Sequence, residues 1–310
     1  MSDGRVRMDT DGEHGIACIT LSNPERKNAY DPAMRRQLAT LLEDAAYDDD
    51  VKVVLLRGEG GVFSTGADMN NAYSWYGAGA ERGEQPGQRR DEARDEGTEP
   101  GTNGAGRPRR PSQRRRLLTD RQTFDFYQFY LGYPKVTVAE VSGYALGGGF
   151  ELALMSDIAV VASDTTIGMP ATRFLGPALG SIHLFFHRLG PVLARRLLLT
   201  GDTISAAEIA HLGIFTEVTE PDAVEARSRW WATKASRMPA DGIVLAKEAF
   251  RLVEQLQAYQ GELVLSPLFL AYGTTLQFDD GEFNFVKARA QHGTRAAFKL
   301  RDAHFEVPEP

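Results

Sequence analysis

Gly143-Tyr144-Ala145-Leu146-Gly147-Gly148-Gly149-Phe150-Glu151 follows a mostly apolar run at 136–141 and precedes Leu152-Ala153-Leu154-Met155. That order reads as strand, glycine turn, helix. Consecutive glycines, lacking Cβ atoms, let the backbone take unusual conformations and let another group come close. At a helix start the first N–H groups have no intrahelical partners, and the helix dipole favours negative charge there. Gly148 and its neighbours are therefore suited to hold an anion. Glu151, about one turn in, is placed to act on whatever that anion belongs to. A tight, closely packed junction with Glu151 as a simple dipole partner would use the same residues.

A second stretch shifts the balance toward chemistry. Phe63-Ser64-Thr65-Gly66-Ala67-Asp68-Met69 also follows an apolar strand, at 53–56, and also brings small residues to a turn. Two such turns can give two backbone N–H groups to one oxyanion, the usual device for stabilising a developing negative charge.

With these motifs the chain resembles the crotonase, or enoyl-CoA hydratase/isomerase, superfamily. The resemblance rests on Asn23-Pro24-Glu25-Arg26-Lys27-Asn28-Ala29, on 63–69, and on 143–151 with Ser156-Asp157-Ile158 behind it. Leu199-Thr200-Gly201, Ile204-Ser205-Ala206 and Gly213 extend it. It implies an α/β fold, a spiral of repeated ββα units over residues 1–218, and a C-terminal all-helical oligomerisation region over 219–310. It also implies a homotrimer or homohexamer, and an acyl-CoA thioester as substrate. Coenzyme A enters as part of that substrate, with no permanently bound cofactor.

The family's oxyanion donors correspond to Ala67 and Gly148, and its first acid/base glutamate to Glu151. The resemblance implies substrate contacts at Arg26, Lys27, Ala29, Thr65, Gly66, Asp68, Met69, Tyr144, Gly147, Pro170 and Ala171. The loop carrying Arg26 and Lys27 would lie along coenzyme A, by backbone contact and one cation; a solvated charge pair is the plainer reading. Phe298 and Arg301 match the last helix of the family, whose aromatic and basic residues approach coenzyme A.

One departure matters. Hydratases of the family place a second glutamate directly after the proline of Met169-Pro170, and here Ala171 stands there. Alanine cannot transfer a proton. The spacing on to Gly176-Pro177 also differs from the usual pattern. The expected chemistry is therefore of the hydratase/isomerase type with one glutamate moving protons. Thioester hydrolysis, C–C cleavage and non-catalytic acyl-CoA binding stay as alternatives. A dinucleotide-binding domain fits less well, because the glycines do not make a clean G-x-G-x-x-G after the first strand.

The rest of the chain frames this site. The 310 residues suit one sizeable domain with an appendage, or two domains. A net charge of −7 argues against nucleic acid as the main partner. One cysteine, Cys18, excludes an internal disulfide, suits a reducing compartment, and reads as a small core residue on a strand. No run spans a bilayer and residues 1–11 lack a signal-peptide core, so no membrane association and a cytoplasmic location are expected. Asp31-Pro32 reads as cap and first position of a helix whose stripe is Met34, Leu38, Leu41, Leu42 and Ala45.

Residues 77–116 contain no Val, Ile, Leu, Phe, Met, Trp or Tyr, a composition that cannot offset the entropy of ordering. They read as an inserted mobile loop, a solubilising tether or a basic-ended flap over the coenzyme. An aromatic helix with Phe124, Phe126, Tyr127, Phe129, Tyr130, Leu131 and Tyr133 follows, mostly core, with one or two residues lining an acyl pocket.

His183 and His187 are spaced i, i+4, but no third ligand is near and no metal is expected. A helix is expected over 191–199, and a capping box at Ser205-Glu208 opens another. Helices are then expected over 222–237, 239–259, 267–276, 282–291 and 294–301, with Ser266-Pro267 as cap and first position of the third. Trp230, Trp231, Leu252, Leu256, Leu268, Phe269 and Leu270 exceed what these helices can bury alone, which points to a subunit interface.

Overall fold

The computed structural model describes residues 5–69, 112–175, 181–273, 278–279 and 281–307. Residues 77–111 of the loop expected over 77–116, and the Gly176-Pro177 spacing, lie outside them. Strand β1 (Arg5–Asp11) pairs antiparallel with β2 (Ile16–Ser22). From β2 the sheet runs parallel through β3 (Val53–Gly58), β4 (Val136–Val141), β6 (Ile158–Ala162) and β9 (Glu217–Thr219). A second, three-stranded sheet sets β5 (Tyr144–Leu146) beside β7 (Thr166–Gly168) and β7 beside β8 (Thr203–Ser205). The result is a mixed α/β architecture.

The inner strands are apolar on both faces because both faces are covered. Ala17, Ile19 and Leu21 of β2 join the main core with Met34, Leu38 and Leu42 of α1 (Pro32–Tyr47). Ile16 and Cys18 turn the other way and meet Ala232 of α7 (Val224–Ser236). Cys18 is a buried core thiol, as its strand position implied. Helix α1 starts where the sequence places it: the Asp31 carboxylate accepts from the Met34 N–H at 2.9 Å, with Pro32 at the first position. Ser205 and Glu208 form the expected capping box of α6 (Ala206–Ile209).

Several boundaries differ from the expectation. Helix α2 runs Gln113–Leu131, capped by the Ser112 hydroxyl on the Arg115 N–H, so residues 113–116 are helical. A side-chain cap and a partly exposed basic turn form a helix start without apolar residues. The helix expected over 191–199 is the second half of α5 (Ile182–Thr200), which bends at Gly190 (φ 71°) just before Pro191.

Ser266-Pro267 does not open a helix. Both residues lie buried inside α9 (Tyr259–Gly273), which follows α8 (Ala240–Leu256) after Ala258 in a left-handed turn. Helix α9 packs on α2 and α5, and that burial outweighs the backbone bond a mid-helix proline removes. Lys247 of α8 reaches in to Asp157, whose carboxylate also accepts from Thr137 N–H and Oγ at 2.8 and 3.0 Å. Helices α10 (Phe285–His292) and α11 (Thr294–Phe305) form a pair around Phe285, Ala288 and Ala297.

Candidate active site

The glycine turn has the strand–turn–helix form that its composition implies. Gly147 has φ 55° and ends β5, and α3 (Gly148–Met155) begins at once. The N–H of Gly148, the first helical residue, belongs to the turn that has no intrahelical acceptor. The second small-residue turn lies directly against it. Gly66 has φ 80°, and a Cβ there would sit 2.7 Å from Gly148 N and from Leu146 O. A Cβ at Gly149 would fall 2.3 Å from Ser64 O. Only glycine allows this approach of two backbones, which brings the Ala67 turn and the helix start to one place.

The motif at 23–29 serves as the frame of the Ala67 turn. Asn28, itself left-handed (φ 53°), donates from its side-chain Nδ2 to the carbonyls of Glu59 and Val62, and its side-chain Oδ1 accepts from Asn23 N–H at 2.8 Å. Asn23 Nδ2 donates to Ala29 O, and Ser64 Oγ to Asn28 O, each at 2.8 Å. Tyr30 N–H donates to Gly66 O at 2.8 Å and Asp68 N–H to Tyr30 O at 2.9 Å, so residues 30 and 67 pair like adjacent strands. Thr65 N–H bonds Lys27 O at 3.1 Å. Ala29 is buried within this frame.

The two cations of the loop differ. Arg26 forms an ion pair with the buried Asp68, which neutralises both. Lys27 sits with its ammonium 3.7 Å from the centre of the Tyr144 ring, and among the described residues no carboxylate pairs with it. Asp68 thereby braces the 23–29 motif against the 63–69 turn.

Glu151 is buried, 5% exposed. Ser181, at the start of α5, donates from Oγ to Glu151 Oε1 at 2.8 Å. Ser181 occupies the N-cap position of α5 but makes no side-chain cap bond; its hydroxyl is directed to the glutamate instead. Two residues on, His183 is clamped between Glu262 and Glu254: its backbone N–H donates to Glu262 Oε1 at 2.6 Å, its ring Nδ1 meets Glu262 Oε2, and Nε2 lies 3.1 Å from Glu254 Oε2. Burial opposes the imidazolium, but the bonds to Glu254 and Glu262 outweigh it and raise its pKa to about 9. His187 is exposed. Among the described residues no group of His, Cys, Asp and Glu is arranged to hold a metal ion.

Pro170 and Ala171 lead into the short helix α4 (Thr172–Leu175). Ala171 is partly buried between the main core and the α10–α11 pair, where Met69, Phe283 and Phe298 also pack. The guanidinium of Arg289 on α10 donates to Met69 O. Phe298 lies 4.9 Å from Phe285, ring centre to ring centre, and Arg301 is buried and bound to Asp302 at 2.6 Å. The last helix is thus turned toward Ala171 and Met69 on the same chain.

Sequence reasoning missed three polar groups here. Ser181 has no motif around it. Tyr30 directly follows the 23–29 motif, and Tyr127 comes from the aromatic stretch read mostly as core. Their hydroxyls meet at 2.5 Å.

A family model described as enoyl-CoA hydratase/isomerase matches residues 11–87 and 109–293, far more than half of the chain. The chain belongs to the enoyl-CoA hydratase/isomerase family. An enoyl-CoA hydratase of Mycobacterium smegmatis has a similar solved structure, with a TM-score of 0.73 and 27% identity, covering 96% of this chain and 93% of that one. An enoyl-CoA hydratase/isomerase from Xanthobacter autotrophicus Py2 aligns with a TM-score of 0.74 and 26% identity over 98% and 99% of the two chains. Among curated relatives, a 2,3-dehydroadipyl-CoA hydratase of Escherichia coli K12 is 26% identical, over 88% of this chain and 93% of its own. The family match leaves out residues 88–108, inside the segment without large apolar side chains. It also places the chain among acyl-CoA enzymes of the hydratase/isomerase type.

Proposed function

We propose that this family member acts on an acyl-CoA thioester through an enolate, with Glu151 as its single proton-transferring carboxylate. The thioester oxygen sits between the N–H groups of Ala67 and Gly148. Negative charge collects there as Glu151 takes or returns a proton, and each such donor contributes about 3–4 kcal/mol to the barrier reduction. Lys27, without a carboxylate partner among the described residues, is the cation for the coenzyme phosphates. Thr65, Gly66, Met69, Tyr144, Gly147 and Pro170 line the path of the pantetheine and acyl chain.

The observation that carries this reading is Glu151, buried at the glycine turn and held by Ser181, with Ala171 among apolar groups where a hydratase would carry its second acid. Syn addition of water needs one group to activate the water and another to protonate carbon. Losing a positioned acid costs about two to four powers of ten. A double-bond shift needs only one shuttle.

The expected activity is therefore poor hydration of simple straight-chain 2-enoyl-CoA and better turnover where one carboxylate suffices. A panel of 2-enoyl-, 3-enoyl- and ring-containing CoA thioesters tests this. Crotonyl-CoA hydration at rates normal for a two-glutamate hydratase would overturn it.

The same proposal includes the family's spiral arrangement of ββα units and a trimer or hexamer. Leu245, Phe250, Leu252, Leu256 and Val264 on α8 and α9 are 58–82% exposed, an apolar face of the kind that meets another subunit. Sedimentation showing a monomer at micromolar concentration would remove the oligomer from it.

A further inference from the structure

The tyrosine pair has a proton to spare. Tyr30 and Tyr127 are 4% and 5% exposed, and their hydroxyl oxygens are 2.5 Å apart. Two hydroxyls carry two protons, and the bond between them uses one. Among the described residues no acceptor takes the other. A buried donor left without an acceptor is costly, and its persistence points to an acceptor that arrives with a ligand.

The position of the pair identifies that acceptor. A Cβ built on Gly148 would lie 2.2 Å from both hydroxyl oxygens, so the pair stands directly over the residue whose N–H opens α3. The main chain of Tyr30 is also the strand partner of Ala67. One residue thus braces the first backbone donor and aims its side chain at the second.

We propose that the Tyr30–Tyr127 pair supplies a third donor, an O–H, to the acyl oxygen held by the Ala67 and Gly148 N–H groups. This rests on the thioester reading above and adds to it: three donors, not two, stabilise the enolate that Glu151 forms. Burial pushes both hydroxyls above their ordinary range, and nearby Glu151 adds to the shift. They keep their protons at physiological pH and act as donors, not bases. The pair also explains why residue 148 must be glycine.

Binding of [1-¹³C]acetyl-CoA, the smallest acyl probe, is measured by calorimetry and isotope-edited infrared spectroscopy. The proteins are the wild type, Tyr30→Phe, Tyr127→Phe and the double variant. In each single variant the remaining hydroxyl, freed from its partner, can still turn to the acyl oxygen. The expected result is a small rise of the carbonyl frequency in each single variant and a larger one in the double. Affinity should change less than threefold, and turnover of the best thioester should fall about 10²–10³-fold in the double variant.

A merely structural pair would lower the melting temperature but leave the carbonyl frequency unchanged in all four proteins, and that result overturns the proposal. A wild type that does not bind acyl-CoA at all overturns the thioester reading itself, and the third donor with it.

Discussion

Ser181→Ala removes one atom and one bond, the 2.8 Å contact from Oγ to Glu151 Oε1. Ser181 is fully buried, so water does not readily replace the lost donor. A hydrogen bond to a charged group contributes about 1.5–3 kcal/mol, which corresponds to roughly ten- to hundredfold at 1.4 kcal/mol per decade. Because the hydroxyl does not cap α5, the helix start loses no bond of its own. The effect therefore falls on the carboxylate, and kcat should drop by about ten- to hundredfold with acyl-CoA affinity within threefold of wild type.

The assay is steady-state turnover of the best thioester together with calorimetric binding of a saturated acyl-CoA. Both are repeated in a Glu151→Gln background, where a group acting through Glu151 should add nothing further. A kcat within twofold of wild type, or an equal loss in both backgrounds, would refute the role of Ser181 as the orienter of Glu151.

Other outcomes follow from the same geometry. Gly66→Ala forces a side chain onto φ 80° and puts a Cβ 2.7 Å from Gly148 N; the left-handed backbone alone costs about 1–2 kcal/mol, and calorimetric melting should show a drop of several degrees with reduced kcat. Gly148→Ala should be worse for activity, since its Cβ meets both tyrosine hydroxyls at 2.2 Å. His183, raised to about 9 from an ordinary 6.5, contributes stability that is full below about 6.5 and is lost as pH rises through 9; the melting temperature should fall between pH 7 and 10, and His183→Gln should flatten that slope. Ala171→Glu should raise crotonyl-CoA hydration, followed by loss of enoyl absorbance, and an unchanged rate would mean that residue 171 does not face the acyl site.

Features set by a few neighbouring residues were legible in the sequence. The Asp31-Pro32 helix start, the Ser205 capping box, the glycine turn and Cys18 in a strand each depend on local chemistry and stand where local chemistry puts them. Features set by distant packing were not. Ser266-Pro267 has the form of a helix start, yet α9 runs through it because its neighbours α2 and α5 hold it. The absence of apolar residues hid the start of α2 at Gln113, where Ser112 supplies the cap.

The same division applies to the candidate site. The glycine turns and Glu151 carry a motif, so they could be named in advance. Ser181 reaches Glu151 across 30 positions, and Tyr30 reaches Tyr127 across 97. No spacing rule links such pairs. A tyrosine directly after the 23–29 motif, with a polar tip and a strand-pairing backbone, was the one available signal.

The most direct test of the single-carboxylate account is turnover in D₂O by wild type and Glu151→Gln, on paired 2-enoyl- and 3-enoyl-CoA substrates, followed by proton NMR. The expected result is that wild type moves the double bond with solvent deuterium appearing at the carbons flanking it, while Glu151→Gln binds the same thioesters and leaves their C–H signals untouched. Bond migration or deuterium uptake persisting in Glu151→Gln at the wild-type rate would contradict it.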